Sequence, residues 1–345
     1  MLKLEDLNVD GYERVVHATD STAGLDAVIA VHNTKLGVAF GGTRITNYQN
    51  FDEHLIDALN LSEAMSYKNA LAGTGCGGGK SVINLKGYPL TDTILQSFGE
   101  ALNELNKDKV YYIAAGDVGS GSKELETIGK FTRFVASHEG TDSGEATAFG
   151  VWCSIQGASS AAGRNLKDMT LSIAGLGKVG RRLLEFARPH FKKVYISDVV
   201  PGLAKDIAKP YNNVESVSTY VAHTLGDVYA PCALGGAINV RSLASIPNGT
   251  IVCGGANNQV ANEDSMAIMM KNDIVYVPDF VANAGGVILL AARLHSGDTS
   301  IEYHTTEVNE QLSSLTSKAF FLIKDSAAEG IHAETLAIEQ LSVKL

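Results

Sequence analysis

The sequence predicts an α/β protein of two domains, and three observations carry that expectation. The chain has 345 residues, more than one ordinary core accommodates. Residues 1–142 alternate strand-like and helix-like runs. After "HEGTDSGEATAFG" the alternation begins afresh, and the β-rich runs of 143–314 read as a parallel, doubly wound sheet. Apolar residues make up 45% and charged residues 19%, with no low-complexity run, which describes a folded globular chain.

Charge and targeting signals narrow the partners. A net charge of −10 argues against a nucleic-acid or anionic-membrane surface, because phosphate binding needs a basic field. The start, "MLKLEDLNVDGYERVV", has neither the basic nor the apolar region of a secretory signal, and no run approaches the roughly 18 apolar residues of a membrane span. Cys76, Cys153, Cys232 and Cys253 lie far apart, with no CxxC pair and no histidine at ligand spacing. They read as free thiols in a reducing cytoplasm, with no metal site.

In chain order, "YERVVHAT" and "DAVIAVHNT" are strands, punctuated by "DSTAGLD" and "TKLGVAFGGTR". "FDEHLIDALNLSEAMSYKNA", from 51 to 70, spaces Leu55, Ile56, Leu59, Leu61 and Met65 as an amphipathic helix running into Lys68. "SVINL" follows as a strand, then a helix over 91–106, then "VYYIAAGDVGSG", a strand ending in a polar turn. "TAFGVWCSIQGASSAAG" reads as a helix joining the two domains. "LSIAGLGKVGRRLLEFA" is a strand, a glycine turn and a helix, and "KVYISDV", "DVYAPCA", "TIVCGGANN" and "IVYVPDF" continue the sheet. The tail from 303 reads as helix, and its part from about 315 to 345 is expected to pack back onto the first domain.

The glycine turn has two readings, a ligand-free turn of an α/β domain and a dinucleotide site, and its context favours the second. Gly175, Gly177 and Gly180 form GxGxxG between strand and helix, so Gly175, Leu176, Gly177, Lys178, Val179 and Gly180 would wrap a pyrophosphate at a helix N-terminus. Asp198 closes the next strand about twenty residues on, where the adenosine ribose would lie. Val199, Val200, Pro201 and Gly202 follow it, with no arginine for a 2′-phosphate, which favours NAD over NADP.

"YKNALAGTGCGGGKSVI" poses the question of the first half: Lys68 and Lys80 bracket a stretch of glycines. A P-loop is excluded, because here a helix precedes and a strand follows the glycines, the reverse of that order. One reading is a pair of solvated lysines on a flexible turn. The other opens the strand at Lys80 and uses a bare loop to bring both ammonium groups into one cleft, where burial and mutual repulsion lower at least one pKa. Asp117, in "AAGDVGSG", is either an Asx-type cap or a carboxylate that takes a proton from a substrate ammonium. Taken together with an NAD site, the second readings describe oxidation of an amino acid at Cα.

The stretches "AVIAVHNTKLG", "GGTR", "DALNLSEAMSYKNALAG", "GGGKSVI", "YIAAGDVG", "TAFGV", "AGLGKVG", "VYAPCALGGAIN", "GGANNQVAN" and "VPDFVANAGGVI" resemble, in order, the Glu/Leu/Phe/Val dehydrogenase family, most closely its short leucine, valine and phenylalanine members. The resemblance implies an N-terminal α/β domain for substrate and oligomerisation, a Rossmann-like NAD domain, a cleft between them, and a homo-oligomer. It implies that Lys68 pairs with the substrate carboxylate, helped by the backbone of Gly41 and Gly42. Lys80 would activate water and polarise an imine, and Asp117 would take the amino proton. By the same likeness Asn257 or Asn258, with Asn283, lines the substrate and nicotinamide, while Ala230 and Cys232 lie beside the cofactor. Hydride would pass from Cα to NAD, giving an imine that water converts to a 2-oxo acid and ammonium. Gly116 before Asp117, "TGC" before the glycines, and "SGSKELETIGKFTRFV" depart from the family pattern.

The resemblance lines the side-chain pocket with Phe40, Ala115, Val287 and Leu290. All are apolar, which disfavours glutamate, whose second carboxylate would need a buried partner. The bulk of Phe40 shortens the pocket toward branched aliphatic substrates, and its ring would equally stack on phenylalanine. A non-catalytic NAD or amino-acid sensor is the alternative of another class; its sign would be loss of Lys80 or Asp117, and both are present. Arg44 is read as a structural anchor of the turn, and His17, His32, His138 and His190 as surface or packing residues.

Overall fold

The computed structural model describes residues 1–136 and 143–342. These divide into two compact units. The first holds the described residues before 143 together with Leu290–Ile301 and the last described residues, 341 and 342; the second runs on to Leu289 and resumes over Glu302–Gln340. His138 lies outside the described residues.

In the first unit the order is β1 (Leu2–Leu7), β2 (Arg14–Asp20), β3 (Leu25–Asn33), β4 (Ala39–Thr46), α1 (Phe51–Ala72), β5 (Gly77–Asn84), α2 (Asp92–Leu105), β6 (Tyr112–Gly116) and α3 (Ser122–Gly129). The strands form one mixed sheet, β1-β2-β3-β5-β4-β6, antiparallel as far as β5 and parallel from there. Alternation along β3 splits its side chains between two cores. Ile29 joins Phe98, Leu102 and Leu105 of α2, while Val28 and Ala30 join Ala58 of α1. Each such large side chain removed from water contributes on the order of 1.5–3 kcal/mol.

The helix α1 delivers Lys68 through explicit end signals. Asn50 caps its start, accepting the Glu53 N–H at 2.9 Å, and Gly73 ends it in the left-handed region at φ 72°. The buried Asn69 amide donates to the carbonyls of Gly77 at 2.6 Å and Phe40 at 3.2 Å, tying the end of α1 to β5 and β4.

The glycines after it are not a bare loop. The strand β5 begins at Gly77, three residues before Lys80. A Cβ on Gly78 would stand 2.0 Å from Ser66 Oγ, and one on Gly79 2.6 Å from the Tyr112 ring. The side chains are missing so that α1 and a buried tyrosine can press against the strand, which corrects the open-loop expectation for this segment. The strand β4 is likewise hidden in what reads as punctuation, because Gly41 and Gly42 erase its period.

In the second unit α4 (Ser143–Ala161) leads to β7 (Thr170–Ala174), α5 (Lys178–Ala187), β8 (Lys193–Ser197), α6 (Leu203–Ala208), β9 (Val214–Ser216), β10 (Val228–Pro231), α7 (Val240–Leu243), β11 (Ile251–Val252), α8 (Glu263–Lys271), β12 (Val275–Tyr276) and α9 (Asp279–Ala282). Then come α10 (Gly285–Ser296), α11 (Thr306–Glu329) and α12 (Ala333–Ser342). The sheet is wholly parallel in the order β12-β11-β10-β7-β8-β9, a doubly wound order whose reversal falls between β7 and β10.

The expectation that the chain from about 315 packs onto the first domain is corrected for α11. This helix lies along α4 inside the second unit. Its buried Leu312, Leu315 and Ala319 need a partner, and small residues on α4 provide it: a Cβ on Gly157 would fall 2.1 Å from the Thr316 carbonyl. Among the described residues no helix is long and apolar enough to cross a membrane.

Candidate active site

Three adjacent parallel strands of the first unit assemble the reactive cluster. Lys80 stands on β5, Arg44 on β4, and Asp117 directly after β6. The Lys80 ammonium, 7% exposed, donates to Asp117 Oδ2 at 2.7 Å. Arg44 Nε reaches the same oxygen at 3.2 Å, and its Nη1 binds both oxygens of Asp57 on α1, at 2.9 and 3.1 Å. Tyr48 donates its hydroxyl to Asp57 as well.

Backbone constraints hold these groups. The Asp117 N–H donates to Ser120 Oγ at 3.0 Å, and Ser120 donates to the Thr43 carbonyl, so the turn after β6 is pinned to β4. Gly119 takes φ 78° in that turn, where a Cβ would also meet the Ile45 carbonyl at 2.2 Å. The buried Tyr112 hydroxyl donates to the Gly41 carbonyl at 2.8 Å and contacts Ser81 Oγ at 3.1 Å, which fixes β4 beside β5.

The electrostatics follow from burial. Desolvation pushes the Lys80 pKa below the usual lysine range; Asp117 opposes that and Arg44 adds to it. Burial alone would raise Asp117, but Lys80 and then Arg44 outweigh it and hold the carboxyl below its ordinary value. Arg44, in turn, is kept charged by Asp117 and Asp57 against the cost of its own burial. A basic amine and an ionised carboxylate in contact can pass a proton between a substrate, water and each other.

The other expected residues of this unit fall on the same strands or near them. Gly42 borders the pair: a Cβ there would stand 2.8 Å from that of Asp117 and 3.1 Å from Lys80 Nζ. Gly41 precedes it, and Ala115 pairs with Gly42 across β4 and β6. Phe40 is buried at 1% exposure on β4, and Lys68 is half-buried on α1, just before its last turn. Leu290 is half-buried on α10.

Arg44 is the member of this cluster that sequence reasoning missed, with Asp57 and Tyr48 behind it. The available signal was an arginine on a strand edged by two glycines, seven residues upstream of a helix whose Asp57 faces back. His17 bonds Asp26 at 2.6 Å, His32 bonds Ser66 at 2.7 Å and His190 stacks on Trp152, all in packing roles.

The second unit presents a backbone site. Gly175 leaves β7 at φ 102°, and Gly180 packs so closely that a Cβ would lie 1.9 Å from the Gly175 carbonyl. Gly177 caps α5, and a Cβ on it would meet nothing within 4 Å. That division, one glycine for the turn, one for helix packing and one bare toward open space, fits a dinucleotide pyrophosphate. Leu176, Lys178 and Val179 complete the turn, with Arg181 Nε holding the Leu176 carbonyl at 2.7 Å. Asp198 accepts the Leu176 N–H at 2.7 Å and the Val200 N–H at 2.9 Å.

Ala230 lies in β10, and the Cys232 N–H after it donates to the Ala174 carbonyl at 2.8 Å. Burial pushes the Cys232 thiol up to about 11. Asn257 and Asn258 are exposed in the turn after β11. Asn283, buried, donates to Asn257 Oδ1 at 2.7 Å, and Val287 is 8% exposed on α10.

A doubly wound sheet with a glycine turn at its switch point, and a separate mixed-sheet unit carrying a buried lysine–aspartate pair, define a two-domain dehydrogenase. Comparison places it further. Residues 12–133 match the model of the Glu/Leu/Phe/Val dehydrogenase dimerisation domain, and residues 203–341 that of the Glutamate/Leucine/Phenylalanine/Valine dehydrogenase domain. The chain belongs to the Glu/Leu/Phe/Val dehydrogenase family, oxidoreductases that act on the CH–NH2 group of amino acids. It is 38% identical over 304 residues to the valine dehydrogenase of Streptomyces albus, covering 84% of this chain and 81% of that one. It is 32% identical over 341 residues to the leucine dehydrogenase of Geobacillus stearothermophilus, covering 96% and 90%. The crystal structure of L-tryptophan dehydrogenase from Nostoc punctiforme superposes with a TM-score of 0.83 at 30% identity, covering 96% of each chain.

Proposed function

We propose that the protein catalyses the reversible, NAD-dependent oxidative deamination of a branched-chain L-amino acid to its 2-oxo acid and ammonium. The observation that carries this reading is the buried Lys80–Asp117 contact at 2.7 Å, with Arg44 on the same carboxylate oxygen. Lys68, Gly41 and Gly42 receive the substrate carboxylate in the first unit. Asp117 takes a proton from the substrate ammonium, leaving the free amine from which hydride can depart. NAD, held at Gly175–Gly180 of the second unit, supplies the hydride acceptor. Lys80 in its neutral form then draws a proton from the water that adds to the imine carbon. It returns the proton to nitrogen as ammonia leaves. The balance is one amino acid, one NAD and one water giving one 2-oxo acid, one ammonium, one NADH and one proton.

NAD rather than NADP is favoured by Asp198 directly after β8, whose charge would repel a 2′-phosphate, and by the lack of an arginine through Gly202. The apolar character of Phe40, Ala115, Val287 and Leu290, the side-chain positions that the family resemblance implies, supports an apolar substrate. The match of residues 12–133 to a dimerisation domain supports a homo-oligomer. A second reading, an aromatic substrate such as phenylalanine or tryptophan, draws on the 96% coverage of the tryptophan dehydrogenase structure and on the ring of Phe40.

The test is NADH formation with valine, leucine, isoleucine, phenylalanine, tryptophan and glutamate, each with NAD and with NADP. The branched-chain substrates should give the highest kcat/KM. Highest values with the aromatic pair would transfer the assignment to the second reading, and silence with every amino acid despite NAD binding would leave a sensor.

A further inference from the structure

The guanidinium of Arg44 stands between two carboxylates on different elements of the first unit, and the two contacts are unequal. Toward α1, Nη1 meets both oxygens of Asp57 at 2.9 and 3.1 Å; toward the turn after β6, Nε meets a single oxygen of Asp117 at 3.2 Å. A planar fork held twice on one side has little freedom left on the other, so Asp57 sets where Nε points. Asp57 is itself fixed, by the Tyr48 hydroxyl and by its place on a capped helix. That helix packs closely on the strand of Arg44: a Cβ on Gly41 would lie 3.2 Å from Met65 of α1.

Charge gives a second reason. Lys80 and Arg44 are two cations sharing one oxygen of Asp117, so a single carboxylate cannot balance both. Asp57 is the other anion, and it leaves the four side chains neutral in sum when Lys80 is protonated. The charged groups that bear most on Lys80 are Asp117 from the turn after β6, Arg44 from β4 and Asp57 from α1. On the other side of β5, β3 sets Ala30 opposite Lys80. Burial pushes Tyr48 and Tyr112 well above the usual tyrosine range, so both face the cluster as neutral hydroxyls.

We propose that Asp57, held by Tyr48, is a positioning residue for the lysine–aspartate pair: it seats the Arg44 guanidinium so that Nε meets Asp117, and it supplies the second negative charge that the two cations require. The inference rests on the amino-acid dehydrogenase reading above and deepens it, extending the machinery to a helix residue that touches neither Lys80 nor the substrate. It carries a sign. Without Asp57 the charge of Arg44 bears on Lys80 less opposed, and the ammonium gives up its proton more readily. Lys80 acts as a base when neutral, so the rise of deamination with pH should move to lower pH, opposite to the effect of removing Arg44. A residue that only stapled α1 to β4 would change stability and leave that profile in place.

The test compares Asp57→Asn, Asp57→Ala, Asp57→Glu, Tyr48→Phe, Arg44→Met and the double variant Asp57→Asn/Arg44→Met with the wild type. It reads kcat and KM for the amino acid against pH, the Kd of NAD, and Tm. Asp57→Asn and Asp57→Ala should lower kcat on the alkaline plateau about tenfold, the equivalent of one charge-assisted hydrogen bond, and move the midpoint to lower pH. The KM should change less than kcat, and the Kd of NAD should stay within about twofold. Asp57→Glu keeps the charge one methylene further out, so it should lose rate at an unmoved midpoint. Tyr48→Phe removes a neutral donor and should lower kcat about threefold, also at an unmoved midpoint. Because Asp57 acts through Arg44, the double variant should be no slower than Arg44→Met, within about twofold.

Should the neutral variants strand the Arg44 charge and fail to fold, Asp57→Glu decides by its rate. An unmoved midpoint in Asp57→Asn and Asp57→Ala, undiminished kcat in any Asp57 variant, or a double variant slower than Arg44→Met by the full factor of Asp57→Asn would overturn the inference. A wild-type protein inert toward every amino acid would remove the parent reading and this one with it; an active wild type with indifferent Asp57 variants removes this one alone.

Discussion

The two units build their sites by opposite means. In the first, the candidate chemistry is concentrated in side chains: a buried Lys80 and the part-buried Asp117, Arg44 and Asp57 share one hydrogen-bonded chain on adjacent strands and a facing helix. In the second, the candidate binding surface is backbone, and the sequence contributes by leaving side chains out at Gly175, Gly177 and Gly180. The difference teaches where each site is fragile. A buried charge cluster fails when a partner is removed, because the remaining charge is stranded. A backbone cradle fails when an atom is added.

The largest effect should come from Lys80→Ala. Losing the base should cut NADH formation by about a thousandfold, within the range of general acid–base catalysis. NAD affinity should be nearly unchanged, since the glycine turn belongs to the other unit. Undiminished turnover would break the comparison at its root.

Next in size are paired additions to the cradle. Gly180→Ala places a Cβ 1.9 Å from the Gly175 carbonyl, so it should destabilise the protein by about 1–3 kcal/mol, as overpacking does, with a lowered Tm. Gly177→Ala meets nothing, so Tm should hold while the KM for NAD rises about tenfold, the cost of blocking a close phosphate approach. Equal behaviour of the two variants would show that the glycines do not divide their work.

Both sites were legible to different depths, for the same reason that they differ. The cradle is local, so strand, spacing and helix appear together in "LSIAGLGKVGRRLLEFA". Lys80 and Asp117 were legible as candidates because lysine and aspartate in small-residue surroundings are odd. Their contact was not, since 37 residues separate them and only the parallel pairing of β4 with β5 and β6 brings them together. Arg44 was passed over because its meaning lies in Asp57 and Asp117, neither of which neighbours it in sequence. The partner of α11 was hidden for a related cause: an apolar stripe says that a face is covered, while Gly157 on α4 says by what.

Arg44→Met tests whether the first cluster is tuned or merely present. Arg44 depresses the Lys80 pKa, so its removal should raise it, and the pH at which deamination becomes half-maximal should move upward. Losing the hydrogen bond to Asp117 should also lower kcat/KM by about tenfold. An unmoved pH profile with the same loss of rate would leave Arg44 a positional role only.

The smallest effect sharpens the contrast between carboxylates. Asp117 lies among cations and is held low, whereas in the second unit Glu334 on α12 is raised to about 7, first by burial and then by the charge of Asp279. Tyr276 and His332 stack nearby with ring centroids 5.5 Å apart, and burial drops His332 to about 4, so neither adds a positive charge near neutrality. A carboxyl whose pKa is raised on folding favours the folded state fully below its unfolded value. That contribution is lost as pH rises through the folded one. Between about pH 4.5 and 7 the wild type should therefore lose stability relative to Glu334→Gln, by about 1–2 kcal/mol once partial exposure is allowed for. Denaturant titrations of both proteins at about pH 5 and about pH 8 measure this. A difference that is constant across the two conditions would mean that burial and the charge of Asp279 do not raise Glu334 on folding.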